Sequence, residues 1–227
     1  MSKARSGQQG KGQKAAKPIV VLAGEDSNDR TSMKYLLQKI CPHMRVVDIR
    51  DPVRLKAATP EGALRKRVQT LVRMARAKAV KERAELACVF VHEDFDELDG
   101  PEYEKTHTRV ERELHKALGH GHYVLAVEEM EAWMLLFPDA LTAVEPTWEL
   151  PKRLRGKDTG RIKGPKEALM NEVGGGRKKR RKYREADAPA VFKAIAEGGP
   201  EKAQGSNRSW ERFRADAHLC GSDHLGE

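Results

Sequence analysis

Acidic side chains follow three of the four short apolar runs in the sequence, at the points where these runs end. The acidic segments are residues 24–26, 92–96 and 128–131. If the apolar runs are parallel strands, their carboxyl ends meet at one edge of a sheet, which is where α/β proteins bind ligands. Carboxylates that converge there repel one another unless a hard cation neutralises them, and Mg²⁺ prefers oxygen ligands. The sequence therefore predicts a metal site at this edge.

Two aspartates in the middle segment have the spacing that such a site needs. Asp94 and Asp96 are two residues apart, so in an extended chain their side chains point the same way. Glu25, from the end of another strand, would complete a centre that orients phosphates and offsets charge in the transition state. Acidic residues after strands also serve as helix caps, which is the alternative for any one segment. Three such segments together favour the metal, with Mg²⁺ expected and Mn²⁺ as a substitute.

The elements that must position these residues are visible as alternating strand and helix patterns. Short apolar runs predict strands at residues 18–23, 45–49, 86–91 and 123–127. The first, third and fourth runs are nearly continuous in apolar residues, which is typical of strands covered on both faces. Apolar residues at helical spacing predict helices at residues 28–40, 61–84 and 103–118. This alternation predicts an α/β fold with a mainly parallel, Rossmann-like sheet flanked by helices.

The texture of the chain changes after residue 137, where prolines and basic residues become frequent. We predict an α/β core at residues 17–137, preceded by a disordered basic tail at residues 1–16. A basic, mostly helical appendage is predicted at residues 138–227, with short helices at residues 188–197 and 207–217. Its strongest feature is a basic run that could bind a phosphate backbone, made of Arg177, Lys178, Lys179, Arg180, Arg181 and Lys182. The alternative is a flexible, solvated run of charges without a ligand, which the three preceding glycines also favour.

Composition limits the classes of partner and compartment. The 227 residues include 43 Lys and Arg against 34 Asp and Glu, a formal charge of +9, which favours a polyanion such as nucleic acid. The three cysteines, Cys41, Cys88 and Cys220, are far apart, which argues for a reducing compartment and against a disulfide framework. No run is long and apolar enough for a membrane helix, so we expect a cytoplasmic protein. The chain has no Walker A pattern, so any ATPase involved must be a separate partner.

The order of these motifs resembles the Toprim domain of topoisomerases, primases and overcoming-lysogenization-type nucleases. A strand, a Gly/Glu turn, a helix and a later strand that ends in Asp94-Phe95-Asp96 match that pattern. The acidic-aromatic segment at residues 127–134 and the later Pro165-Lys166 element resemble those of small bacterial stand-alone Toprim-like proteins, some of them associated with phage defence.

The resemblance implies roles for particular residues. Asp94 and Asp96 would be metal ligands, and Glu25 a ligand or the general acid/base. A second metal would be held by the 128–131 segment, with Glu128 and Glu131 favoured and Glu129 left open. Lys166 would contact nucleic acid with the basic run. The chain departs from the pattern at Ala23, where Toprim domains usually carry the first glutamate; Glu25 stands two residues further on.

The leading functional hypothesis is a Mg²⁺-dependent nuclease that cuts DNA or RNA, acting in phage defence. The alternative is a non-catalytic nucleic-acid-binding or effector subunit of a defence complex, which the displaced glutamate favours. A small-molecule phosphotransfer enzyme would leave the basic C-terminal half without a purpose.

Overall fold

The computed structural model describes residues 17–56, 60–173 and 181–222. Its four strands form one parallel sheet in the order β2-β1-β3-β4. The strands are β1 Ile19–Gly24, β2 Arg45–Asp48, β3 Leu86–Asp94 and β4 Gly121–Ala126. The α/β fold with a parallel sheet is confirmed, and β3 runs three residues further than the apolar pattern predicts.

Helices alternate with the strands and then continue alone to the C-terminus. They are α1 Ser27–Ile40, α2 Glu61–Glu82, α3 Pro101–Leu118, α4 Glu131–Met134, α5 Pro138–Val144, α6 Pro165–Ala168, α7 Ala188–Gly198 and α8 Arg208–Ser222. Short 3₁₀ turns lie at Lys152–Leu154, Thr159–Arg161 and Glu185–Asp187, and a π-helical turn at Leu169–Val173. None of the described helices is long and apolar enough to cross a lipid bilayer.

Successive side chains of each strand enter two different hydrophobic layers, because side chains alternate across a sheet. On β1, Val20 and Leu22 pack towards α1, α7 and α8, whereas Val21 and Ala23 pack towards α2 and α3. Every residue of β1 is buried. Both faces of the sheet are therefore covered, which explains why the strands read as nearly continuous apolar runs.

The predicted C-terminal appendage, over its described residues, forms one of these two layers. α7 packs along α1, and α8 contacts both β4 and α1. Trp133, Trp148 and Trp210 are fully buried in the core that this layer shares with the sheet. The change in composition near residue 138 coincides with the change from the sheet to the helices that cover it. Residues on both sides of this point belong to the same hydrophobic core.

A disulfide joins Cys88 on β3 to Cys220 on α8, with the sulfurs 2.00 Å apart. The sequence argued against a disulfide framework, because the cysteines are widely spaced; the fold brings together two that are 132 residues apart. Cys88 is also the small core residue that its apolar surroundings predict. Cys41 stays free and buried.

Candidate metal centre

The candidate site lies at the carboxyl edge of the sheet and consists of Asp29, His92 and Asp94. The Nδ1 atom of His92 is 3.8 Å from Oδ2 of Asp29, and its Nε2 atom is 3.6 Å from Oδ1 of Asp94. One ligand atom from each of the three residues can be chosen so that all lie within 4.8 Å of one another. We call these three residues the acidic-histidine cluster.

Strand geometry places two members of the cluster. His92 and Asp94 are the last two residues of β3 that point towards the α1 layer, because they are two positions apart in an extended chain. Gly24, at the end of β1, pairs with His92, and a Cβ atom at position 24 would come within 3.0 Å of the His92 carbonyl oxygen. Glycine at this strand end therefore allows the backbone carrying the histidine to come close.

The third member comes from the first turn of α1. Asp26 caps this helix, since its Oδ1 atom accepts a hydrogen bond of 2.6 Å from the Asn28 backbone N–H. The cap fixes where the helix begins, and Asp29 is its acidic first-turn residue. A carboxylate there is favoured by the helix dipole, and it faces His92.

The histidine is buried and lacks a partner for one of its nitrogens. Only 1 % of His92 is exposed, and its Nε2 atom makes no hydrogen bond. Burial lowers the pKa of His92 to about 3, so the ring is neutral near pH 7. Buried polar atoms without a partner are rare, and a neutral imidazole is a common metal ligand. The residues present therefore fit a bound cation.

The pKa values of both aspartates in the cluster are raised by burial and by repulsion from neighbouring carboxylates. Burial, followed by repulsion from Glu131 and Asp26, raises the pKa of Asp29 to about 7. The pKa of Asp94 lies well above its ordinary value, again because of burial first and then repulsion from Asp29 and Glu131. A cation bound between these groups would relieve the repulsion and favour their ionised forms.

Two further carboxylates and a lysine border the cluster. Glu131 is buried and its Oε1 atom accepts a hydrogen bond of 3.1 Å from the Tyr183 hydroxyl. Oε2 of Glu129 is 3.7 Å from Nζ of Lys166 and makes no hydrogen bond, and burial raises the pKa of Glu129 to about 7. Burial lowers the pKa of Lys166, but Glu131 and Glu129 outweigh it, so that the net pKa is raised.

Two of the predicted ligands are exposed and paired with basic side chains. Asp94 and Asp96 would point the same way in an extended chain. β3 ends at Asp94, however, and Asp96 has a left-handed φ of 63°. Its exposed carboxylate pairs with Nζ of Lys56 at 2.5 Å. Glu25 is also exposed and forms an ion pair with Arg54. Basic partners therefore neutralise both acids, although Asp96 is close enough to Asp94 to raise its pKa by repulsion.

The 128–131 segment lies beside the cluster, since the Met130 backbone N–H donates a hydrogen bond of 3.1 Å to Oδ1 of Asp94. Glu128 has a φ of 55°, and its backbone N–H donates to the Glu97 carbonyl at 2.9 Å, which ties the loops after β3 and β4 together. After burial and Asp29, repulsion from Glu131, Glu129 and Asp96 raises the pKa of Asp94, so all three carboxylates lie near it. Non-glycine residues with such φ values cost on the order of 1–3 kcal/mol and often occur at functional sites.

The residues predicted to contact nucleic acid fall into separate places. Lys166 lies among carboxylates, and Arg177, Lys178, Lys179 and Arg180 lie outside the described residues. Arg181 pairs with Asp187 and covers the Trp148 ring at 5.3 Å from its centroid. Lys182 is exposed.

The sequence patterns favoured neither Asp29 nor His92 as a ligand and left Glu129 open. The usable signals are the His-x-Asp pair within β3 and an aspartate three residues after a helix cap. Glu93, between His92 and Asp94 in β3, is buried on the opposite face of the sheet. It accepts hydrogen bonds of 2.6 Å from the Leu55 backbone N–H and from the Tyr123 hydroxyl.

Comparison with protein-family models, with curated proteins and with solved structures gives no match. The class of protein is therefore described from its fold and site alone. It is an α/β protein with a parallel sheet, and two carboxylates and a histidine that could hold a metal ion lie at the carboxyl edge of this sheet.

Proposed function

We propose that this chain is a divalent-metal-dependent hydrolase of phosphodiester bonds in nucleic acid, with Asp29, His92 and Asp94 as metal ligands. The observation that carries the proposal is the buried His92, whose Nε2 atom has no partner and lies 3.6 Å from a carboxylate of raised pKa. A net charge of +9 on the whole chain supports a polyanionic substrate.

The donor set bears on the choice of metal. Imidazole suits transition metals, whereas carboxylates suit Mg²⁺, Ca²⁺ and Mn²⁺, so a mixed set favours Mn²⁺ over the Mg²⁺ expected from oxygen ligands alone. A bound divalent cation would supply an activated water and neutralise charge on the phosphoryl oxygens.

The bordering residues supply the remaining chemistry. Lys166 has its ammonium group at the rim of the cluster, 3.7 Å from Glu129 and 3.5 Å from Glu185, where it can hold a phosphate oxygen. Glu129, with a pKa of about 7, holds a proton near neutral pH and can give it to a leaving oxygen. Tyr183 fixes the orientation of the Glu131 carboxylate.

The first experiment measures metal binding by calorimetry and then cleavage. Wild type is expected to bind Mn²⁺ and to cut single- or double-stranded DNA, RNA or tRNA in its presence, but not in EDTA. Asp94→Asn should lose both activities. Asp96→Asn is the matched control, because Asp96 has the same side chain two residues further on and pairs with Lys56. Equal behaviour of the two variants would contradict the proposed ligand set.

The alternative is a non-catalytic nucleic-acid-binding or effector subunit. It is favoured by the ion pairs of Glu25 with Arg54 and of Asp96 with Lys56, which neutralise acids that the Toprim resemblance would assign to the metal. Nucleic-acid binding without metal-dependent cleavage, unchanged in Asp94→Asn, would support it. Kinship with Toprim proteins, phage defence, a separate ATPase and a cytoplasmic location stay predictions from the sequence.

A further inference from the structure

A groove of about 410 Å³ lies between α2 and the segment that precedes this helix, away from the acidic-histidine cluster. Its lining residues are Pro52, Val53, Arg54, Lys66, Arg67, Thr70, Leu71 and Met74. The lining contains three cationic side chains and no carboxylate. The acidic side chains of α2 are confined to its two ends, at Glu61 and Glu82.

Two of the three cations of the groove are available to a ligand, and the third, Arg54, pairs with Glu25. Lys66 and Arg67 are exposed on α2, and neither forms an ion pair with any described residue. Arg67 donates a hydrogen bond of 2.5 Å to the Arg54 carbonyl, so its guanidinium is held across the groove. Beneath the cations, Leu71 is buried and Met74 half-buried, so the floor is apolar.

The wall of the groove leads to the strand ends. Its segment crosses the carboxyl edge of the sheet, with hydrogen bonds from Val53 N–H to the Gly24 carbonyl at 3.2 Å and from Leu55 N–H to Glu93 at 2.6 Å. Arg54 lines the groove and also pairs with Glu25 at the end of β1. The segment therefore runs from the groove to the carboxyl edge of the sheet, on the face that α2 covers.

We infer that this groove binds the phosphodiester backbone of a single-stranded nucleic acid. The inference builds on the proposed function by naming its substrate class. A cationic rim over an apolar floor suits phosphates and an unstacked base, and the base of a single strand is free to lie on that floor. A membrane surface is less suited, because the large exposed apolar side chains of the described residues, Val80, Leu98, Met170 and Leu219, do not line the groove.

The test measures binding of a fluorescent single-stranded oligonucleotide by anisotropy in EDTA, so that it does not depend on the metal site. Wild type should bind, and its affinity should fall with salt concentration. Lys66→Glu with Arg67→Glu should weaken binding at least about tenfold and reduce the salt slope by roughly 0.7 for each phosphate that the variant no longer neutralises. The control is Lys193→Glu with Lys202→Glu, the same charge change at exposed positions in the α7 layer.

Each outcome decides the inference. Loss of binding in the α2 variant, with binding retained in the control and circular dichroism unchanged in both, would support it. Equal loss in both pairs, or no loss in the α2 pair, would overturn it. Equal affinity for duplex, or binding to anionic vesicles and not to the oligonucleotide, would also overturn it. Cleavage by wild type with Mn²⁺ is measured in a separate assay. Failure of the proposed groove can therefore be distinguished from failure of the proposed metal site.

Discussion

Replacing Asp29 by asparagine should stabilise the metal-free protein above neutral pH. Burial, with repulsion from Glu131 and Asp26, raises the pKa of Asp29 from 3.8 to about 7. At 1.36 kcal/mol for each pKa unit, keeping this carboxylate ionised in the folded protein costs about 4 kcal/mol. Asparagine has nearly the same shape without the charge, so it removes this cost. Loss of the favourable interaction with the start of α1 offsets about 0.5 kcal/mol of the gain.

The sign of the effect with pH follows from the direction of the shift. A carboxyl whose pKa is higher in the folded than in the unfolded protein binds protons more tightly when folded, so its contribution to stability falls as the pH rises between the two values. The gain from Asp29→Asn should therefore be near zero at about pH 4 and complete above about pH 7. His92, with a pKa lowered by burial to about 3, acts in the opposite direction, and comparison with wild type at each pH cancels its contribution.

The assay is urea denaturation in EDTA, followed by tryptophan fluorescence across this pH range. Glu25→Gln is the control, because this exposed acid pairs with Arg54 and should change stability by at most about 1 kcal/mol. Mn²⁺ at about a hundred times its dissociation constant should then stabilise wild type by about 2.7 kcal/mol, and Asp29→Asn by much less. Destabilisation of Asp29→Asn above pH 7, or an effect independent of pH, would refute the reasoning.

Two hydrogen-bond deletions should be visible in the same denaturation assay. Ser209→Ala removes the acceptor of the Val127 backbone N–H at 3.0 Å and of Trp133 Nε1 at 2.8 Å, and two buried donors without a partner should cost about 2–4 kcal/mol. Tyr183→Phe removes the donor to Glu131 and should cost about 1–2 kcal/mol. Losses below about 0.5 kcal/mol in either variant would mean that these groups find other partners.

The sequence was sufficient for the fold because each strand is covered on both faces and each main helix has one apolar side. Both ends of β1 and the first residue of α1 differ from the predicted positions by one residue. The disulfide could not be predicted, because Cys88 and Cys220 meet only when α8 packs on the sheet. The position of the candidate site at the strand ends also followed from the sequence, since parallel strands share a carboxyl edge.

The identity of the ligands depended on backbone angles that a sequence does not display. Asp96 is the second residue after the end of β3, and its own φ is left-handed. The rule that residues two apart point the same way applies to extended chains, so it does not hold between Asp94 and Asp96. The same rule does hold one step earlier, for His92 and Asp94. Asp29 comes from a helix, whose first turn is set by the Asp26 cap.

Alternation across β1 also explains the departure at Ala23. Ala23 packs into the α2–α3 layer and is fully buried, whereas His92 and Asp94 face the layer formed by α1 and the C-terminal helices. In this fold, a glutamate at position 23 would be buried among apolar side chains on the opposite face from the acidic-histidine cluster. Glu25 lies just beyond the end of β1 and forms an ion pair with Arg54. The position that pairs with His92 is Gly24, and the third member of the acidic-histidine cluster comes from α1, so the proposed site does not need a glutamate at position 23.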